Sequence, residues 1–474
     1  MQNRQSRTSG AGLQFSPVLI VFAVLLGSAC AANPARQAAR PLPEVDRLPP
    51  GIALATFDSV WSIVNRSYVD TAFVSRRWRV LRDSLRPRAA WVGRRPEVEA
   101  LLSAMLSNIP ESHFYIIPSR LATDAELAGD GESAGEGTTG VAVRFAGIRP
   151  VAWQVEQGST GYVAGIRPGD VIESIGGRSS ATAVAQLDRL PVASRQRARS
   201  DLLRRMNADL SPADGTSIKV RVRSPASESS AELSIVGTPV KGTVSKFGNL
   251  PPIAGIVRVS HSVPAKESGD RGCVGTIAFN IWLPALVREL ENAVNATADC
   301  VGIIIDLRGN PGGVGPMVMG FGGYFVATPL SLGTMVMRDM TLRFAINPRQ
   351  RLLMDGTRRG PFAGPVAILV DALSGSTSEI FAAGMQRIGR ARVFGEPSAG
   401  AALPSLADEL PSGDVFVHAI ADFRDPDGKR IEGVGVVPDQ IVLLDERELA
   451  RGVDAPLEAA IRWIRARRQL AGAH

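Results

Sequence analysis

The chain has 474 residues, 45% hydrophobic and 21% charged, with a formal net charge of +7. That length suggests two or three domains, and the balance is that of a folded chain with a sizeable core, which excludes disorder as its main state. The positive charge comes from scattered arginines, with lysine only at Lys219, Lys241, Lys246, Lys266 and Lys429. Without a basic block or an interleaved aromatic stripe, it does not read as a nucleic-acid surface.

The N-terminus carries Arg4 and Arg7, then an apolar run from Pro17 to Leu26. This run suits the hydrophobic region of a signal peptide and is too short to span a bilayer comfortably. Residues 1–29 are therefore expected to direct export. The following Gly27-Ser28-Ala29-Cys30 resembles a bacterial lipobox, which implies lipidation of Cys30 and a membrane anchor at the cell envelope, facing the periplasm. Ordinary signal-peptidase cleavage, giving a secreted or periplasmic protein, is the other reading. Residues 30–50, rich in Ala, Pro and Arg, read as a tether.

From residue 51 to 122 the spacing predicts a helical domain. Phe57, Val60, Trp61, Val64 and Tyr68 share one helical face, and Val98, Leu101, Leu102, Met105 and Leu106 another. Glu111-Ser112-His113-Phe114 follows Pro110. A Gly-, Glu- and Ser-rich stretch over 123–138 reads as a linker. Residues 135–240 read mostly as strands and turns. Thr139-Gly140-Val141-Ala142-Val143, then Ala164-Gly165-Ile166-Arg167-Pro168-Gly169-Asp170, resembles a PDZ domain of the bacterial protease type. The resemblance implies that Gly140, Val141 and Ala142 bind a peptide C-terminus while the peptide adds a strand to the sheet edge.

Residues 245–470 alternate strands and helices, an α/β pattern. Val274–Phe279, Val301–Leu307 and Val366–Val370 read as strands, the last two apolar throughout, as in a parallel sheet. Leu283–Val294 and Leu457–Arg468 read as helices, and another starts near Thr377. Cys273 and Cys300 each open a strand-like run and could pair in an oxidising compartment if those strands are neighbours. Four histidines and three cysteines, with no metal-ligand spacing among them, give no reason to expect a metal, and no cofactor is expected.

Two loops carry the chemistry. Ser374-Gly375-Ser376-Thr377-Ser378-Glu379 lies between the Val366–Val370 strand and the next helix. A helix N-terminus there would offer the free N–H of Thr377 to an oxyanion. Ser376-x-x-Glu379 also fits a capping box with no chemistry at all. Asp306-Leu307-Arg308-Gly309-Asn310-Pro311-Gly312-Gly313 ends the preceding apolar strand and lacks a nucleotide-loop pattern. With Gly395-Glu396-Pro397-Ser398-Ala399-Gly400, these segments resemble the tail-specific, or C-terminal-processing, serine peptidases. The resemblance implies Ser376 as nucleophile, with Gly312 (or Gly313) and Thr377 as oxyanion donors.

That family's Ser/Lys dyad has its lysine where this chain has Ala401. Ser112-His113 and Glu432 resemble the base set of the tricorn-like branch of the same superfamily. The set implied is Ser376 as nucleophile, His113 as base, and Ser112 with Glu432 orienting His113. His261 and His418 stand outside any motif. The expected architecture is multidomain α/β: an N-terminal helical domain, a PDZ-like β-rich domain, and a crotonase/Clp-protease-like α/β catalytic domain. The expected function is that of an exported serine endopeptidase acting on proteins or peptides through an acyl-enzyme on Ser376. Two readings compete with it: a catalytically inactive binder of the same fold, and a scaffold in which only the PDZ-like module works.

Overall fold

The computed structural model describes residues 46–119, 137–250, 252–263, 272–353 and 356–471. Cys30, the expected lipidation site, lies outside the described residues. Helices α1 (Ile52–Ser67), α2 (Arg79–Ala89) and α3 (Arg95–Leu106) bury the expected faces, with Phe57, Val60, Val64, Leu102 and Met105 in one core. The chain then turns through Ser112 and His113 into strand β1 (Phe114–Ile117).

Strands β2 (Val141–Ala146), β3 (Arg149–Val155) and β4 (Val171–Ile175) follow. Next comes an 18-residue helix, α4 (Val192–Asp209), where mainly strands and turns were expected. Its sequence is rich in Ala, Arg, Leu and Met, which are good helix formers. Leu202, Leu203, Met206 and Leu210 fall on one side, buried against Val143 and Phe145 of β2. Strands β5 (Ser217–Arg223) and β6 (Ser230–Val236) complete a sheet in the order β2-β3-β4-β5-β6, all neighbours antiparallel, with the short strand Arg178–Ser179 pairing β4.

The last region holds β7 (Val257–Ser262), β8 (Val274–Phe279), helix α5 (Val287–Thr297), β9 (Gly302–Asp306), β10 (Val366–Val370), helix α6 (Thr377–Arg387) and β11 (Ala391–Gly395). Strands β12 (Ser405–Glu409), β13 (Val415–Ala419) and β14 (Gln440–Ile441) and helix α7 (Ala455–Ala471) follow. The main sheet runs β7-β8-β9-β10-β11-β14, parallel except for β7. Every residue of β9 and β10 is buried, because helices cover both faces: α5 and α6 pack on one core and α7 on the other. Each fully buried isoleucine in β9 contributes about 1.5–3 kcal/mol relative to exposure.

Cys273 and Cys300 are bonded, joining the entries of the adjacent strands β8 and β9. A third sheet, β1-β13-β12, ties the helical region to this one, with Phe114 opposite His418. His418 is buried there, with Nε2 3.0 Å from Asp408 and Nδ1 3.2 Å from Ser67 at the end of α1. It is a structural link, as its lack of a motif suggested. Among the described residues there is no group of side chains that could hold a metal and no helix long and apolar enough to cross a membrane.

Candidate active site

Strand β10 ends at Val370, and the turn after it is built on Asp371. Its Oδ1 accepts N–H bonds from Leu373 (2.9 Å) and Ser374 (3.0 Å), which curls the chain toward α6. The same oxygen accepts the Gly309 N–H at 2.9 Å, and Ser374 Oγ donates to Leu307 O at 2.8 Å. One buried carboxylate therefore fixes the register of both loops named above. Arg144 of β2 ion-pairs with it.

Ser376 stands at the head of α6 with φ 49° and ψ −118°. A non-glycine residue at positive φ is strained and persists only where its surroundings hold it. Here the Ser376 N–H donates to Ala401 O (2.7 Å) and to Glu379 Oε2 (3.0 Å). The reciprocal Ser376–Glu379 arrangement of a capping box is present. An N-cap residue ordinarily has β-region dihedrals, so capping alone does not account for the positive φ of Ser376.

Glu379 is fully buried. It also accepts from Ser398 Oγ (2.5 Å), Gly400 N–H (2.7 Å) and Ala401 N–H (2.9 Å). Burial pushes its carboxyl up to about 7, and the four donors oppose that shift. It clamps the nucleophile turn to residues 398–401. The sequence reading saw Glu379 only as a cap residue. Its signal was the pairing of Glu379 with the Gly395–Gly400 segment, both of which stand in the same family pattern.

Gly312 lies directly against Ser376. Its φ is 114°, and a Cβ added there would sit 2.6 Å from Ser376 Cβ, so only glycine fits. Its N–H donates to Asn310 Oδ1 at 3.0 Å. Of the two expected loop donors, the one left open is Gly313. The Gly312 carbonyl and the Val314 N–H both bond Trp282, which turns Gly313's own groups the other way, and Gly313 O accepts from Thr377 Oγ1 at 2.7 Å. The N–H groups of Gly313 and Thr377 have no protein partner among the described residues.

His113 also has positive φ, 61°. Its Nδ1 is 2.7 Å from Ser112 Oγ, which donates to Glu432 Oε2 at 2.9 Å. Glu432 Oε1 accepts the Ser112 N–H at 2.7 Å, and Oε2 the Ala402 N–H at 2.8 Å. The single Ser112 proton goes to the carboxylate, so Ser112 Oγ accepts from His113 Nδ1–H. That assigns the tautomer and leaves the Nε2 lone pair free. Burial, then Arg204 and Arg197 of α4, lower His113 to about 4. Glu432 is raised by burial against its three donors.

No hydrogen bond joins His113 to Ser376 in this structure. They meet through neighbouring backbone: Ala401 holds Ser376 and Ala402 holds Glu432. A cleft of about 720 Å³ opens beside Glu432, lined in part by Leu106, Ile109, Tyr115, Arg197 and Gly400. Gly140 packs against Ser159 and Glu156. Its φ is 71°, and its N–H bonds Thr138 Oγ1.

Residues 274–442 match the model of peptidase family S41. Over 413 residues the chain is 24% identical to a carboxyl-terminal-processing protease of Synechocystis sp., covering 85% of this chain and 84% of that protein. A carboxy-terminal-processing protease of Bartonella bacilliformis is 26% identical over 230 residues, 47% of this chain and 51% of that one. Among solved structures, a photosystem II D1 C-terminal processing protease superposes with a TM-score of 0.55 at 18% identity, covering 87% of this chain and 97% of that one. Mature CPAF complexed with lactacystin gives 0.57 at 13%, covering 90% and 99%. These two structures share the fold of this chain. Residues 274–442, which carry the Ser376 turn, are thus similar to peptidase family S41, and the protein is a serine-type peptidase.

Proposed function

We propose that the protein is an exported endopeptidase that cleaves polypeptides through an acyl-enzyme on Ser376, with His113 as base in place of a lysine. The observation that carries this reading is the hydrogen-bonded series Glu432–Ser112–His113, which leaves the His113 Nε2 lone pair unused, with Glu432 and Ser376 bonded to the adjacent residues Ala402 and Ala401. His113 Nε2 takes the Ser376 proton as Oγ attacks the scissile carbonyl. The tetrahedral oxyanion accepts from the N–H groups of Gly313 and Thr377. His113, now cationic, is stabilised by Glu432 through Ser112 and returns the proton to the leaving amine. Water, deprotonated by the same ring, then releases the acyl group. Substrate binding must bring His113 within hydrogen-bond reach of Ser376, as is common between free and substrate-bound sites.

The cleft beside Glu432 has room for several peptide side chains. The substrate is engaged near its C-terminus, with Gly140, Val141 and Ala142 as the receiving loop, a reading supported by the similarity to a protein named a carboxyl-terminal-processing protease. Export is supported by the N-terminal segment and by the Cys273–Cys300 bond, since disulfides persist in oxidising compartments. Lipid attachment at Cys30 is tested by labelling cells with an alkynyl fatty acid. Incorporation lost in Cys30→Ser supports it, and unchanged incorporation refutes it.

The catalytic reading is tested by digesting an unfolded polypeptide and following new N-termini. Ser376→Ala is expected to lower the rate by about 10⁴-fold or more. A variant that keeps the parent rate would overturn the reading.

A further inference from the structure

Strand β2 is a free edge of its sheet. Opposite Val143, Ala152 turns its own N–H and C=O to Asp170 and Gly169 on the far side. The N–H and C=O of Val143 consequently face outward from the sheet. Such an edge is a template for an added strand. Here the template is already occupied. The Val143 N–H donates to Asn207 Oδ1 at 2.9 Å, and its C=O accepts from Asn207 Nδ2 at 3.1 Å and from Arg144 Nη1 at 2.8 Å.

One side-chain amide from α4 thus makes both hydrogen bonds that a residue of an incoming peptide would make. The amide is held in that orientation, because Nδ2 also donates to Leu203 O at 2.8 Å. The space between strand and helix is closed as well: Val143 and Leu203 are fully buried, with Phe145 and Met206 nearly so. Gly140 and Val141 sit at the start of this same edge.

We propose that Asn207 is an internal competitor for an extended peptide at the β2 edge, so that residues 140–143 take a peptide with a free C-terminal carboxylate only when this amide swings away. The proposal rests on reading residues 135–240 as PDZ-like. The apparent affinity is then reduced in proportion to the fraction of molecules in which the amide has swung away, and removing the competitor removes that penalty. A ligand gains the backbone pair only by displacing an equivalent one, so the edge selects peptides that add carboxylate and side-chain contacts beyond it.

The test uses the full chain carrying Ser376→Ala, so that binding is read without hydrolysis and independently of the catalytic assignment. The probe is a fluorescein-labelled decapeptide ending in a free apolar residue, beside its C-terminally amidated twin. Adding Asn207→Ala is expected to tighten binding of the free-carboxylate peptide by about tenfold, which corresponds to ~1.4 kcal/mol. The amidated twin should show no such gain. Asn207→Ser, which is too short to span both groups, should act in the same direction and guards against misfolding of the alanine variant. Unfolding midpoints of all variants are recorded alongside. Affinity unchanged or weakened in folded variants, or equal gains for both peptides, would overturn the proposal, as would the absence of binding by all of them.

Discussion

Ser376 and His113 are both non-glycine residues at positive φ, and both belong to the proposed catalytic set. Strain of this kind survives where surrounding hydrogen bonds over-determine the backbone. At Ser376 that role falls to Glu379. Glu379→Gln replaces a four-acceptor carboxylate by an amide whose NH₂ must face donors. We expect a loss of about 2–4 kcal/mol in stability, read by urea unfolding, and a lower rate of acylation. Burial first, then Arg204 and Arg197, hold His113 down to about 4. A base lowered this far stays neutral until the pH nears 4, so kcat/KM should hold through pH 5.5 and fall only below it. Arg204→Ala should move this acid limb upward, toward the ordinary histidine value near 6.5. A limb that stays in place in the variant would argue against His113 as the titrating base. The same depression means that His113 favours folding at neutral pH, and this contribution is lost as the pH falls from about 6.5 toward 4.

At the scale of elements, the sequence was most legible where one period dominates. The apolar runs of β9 and β10 read as buried parallel strands because helices cover both faces, and α1 and α3 showed their buried stripes. Helix α4 was hidden by its five arginines, which swamp a short apolar face of Leu202, Leu203 and Met206. Ser112, His113 and Glu432 could be named from motif resemblance, but their hydrogen bonding depends on a turn more than three hundred residues from Glu432 in the chain. No local pattern reports that distance. The choice between Gly312 and Gly313 depended on where Asn310 points its amide, which sequence does not show. The Cys273–Cys300 pair was open until β8 and β9 proved adjacent. It closes a separation of 27 residues. Replacing both cysteines by serine should cost about 3–4 kcal/mol on the chain-entropy estimate, read by denaturant unfolding, with the fold retained.

Across the whole molecule, the β2–β6 region is bound to the catalytic machinery through charge. Arg144 pairs with Asp371, the carboxylate that organises both active-site loops, and stacks on Trp153, which lies between Arg144 and Arg308. Arg308 is fully buried and bridges Asp306 (2.6 Å) and Asp454 (2.8 Å). Burial alone would lower Arg308, but the two carboxylates outweigh it and raise it. Arg144→Met would leave Asp371 buried without its partner. We expect about 3–5 kcal/mol of destabilisation, and a fall in kcat for a short peptide that does not touch β2. Unchanged kcat would show that the two regions work independently.

The central claim is a nucleophilic Ser376 activated by His113, and active-site labelling tests it most directly. Parent, Ser376→Ala and His113→Ala proteins are treated with a fluorophosphonate, and the modified residue is located by peptide mass. The expected result is a single adduct on Ser376 in the parent, none in Ser376→Ala, and labelling slowed by about 10²–10⁴-fold in His113→Ala. Labelling of His113→Ala at the parent rate, or an adduct on another serine, would contradict the mechanism.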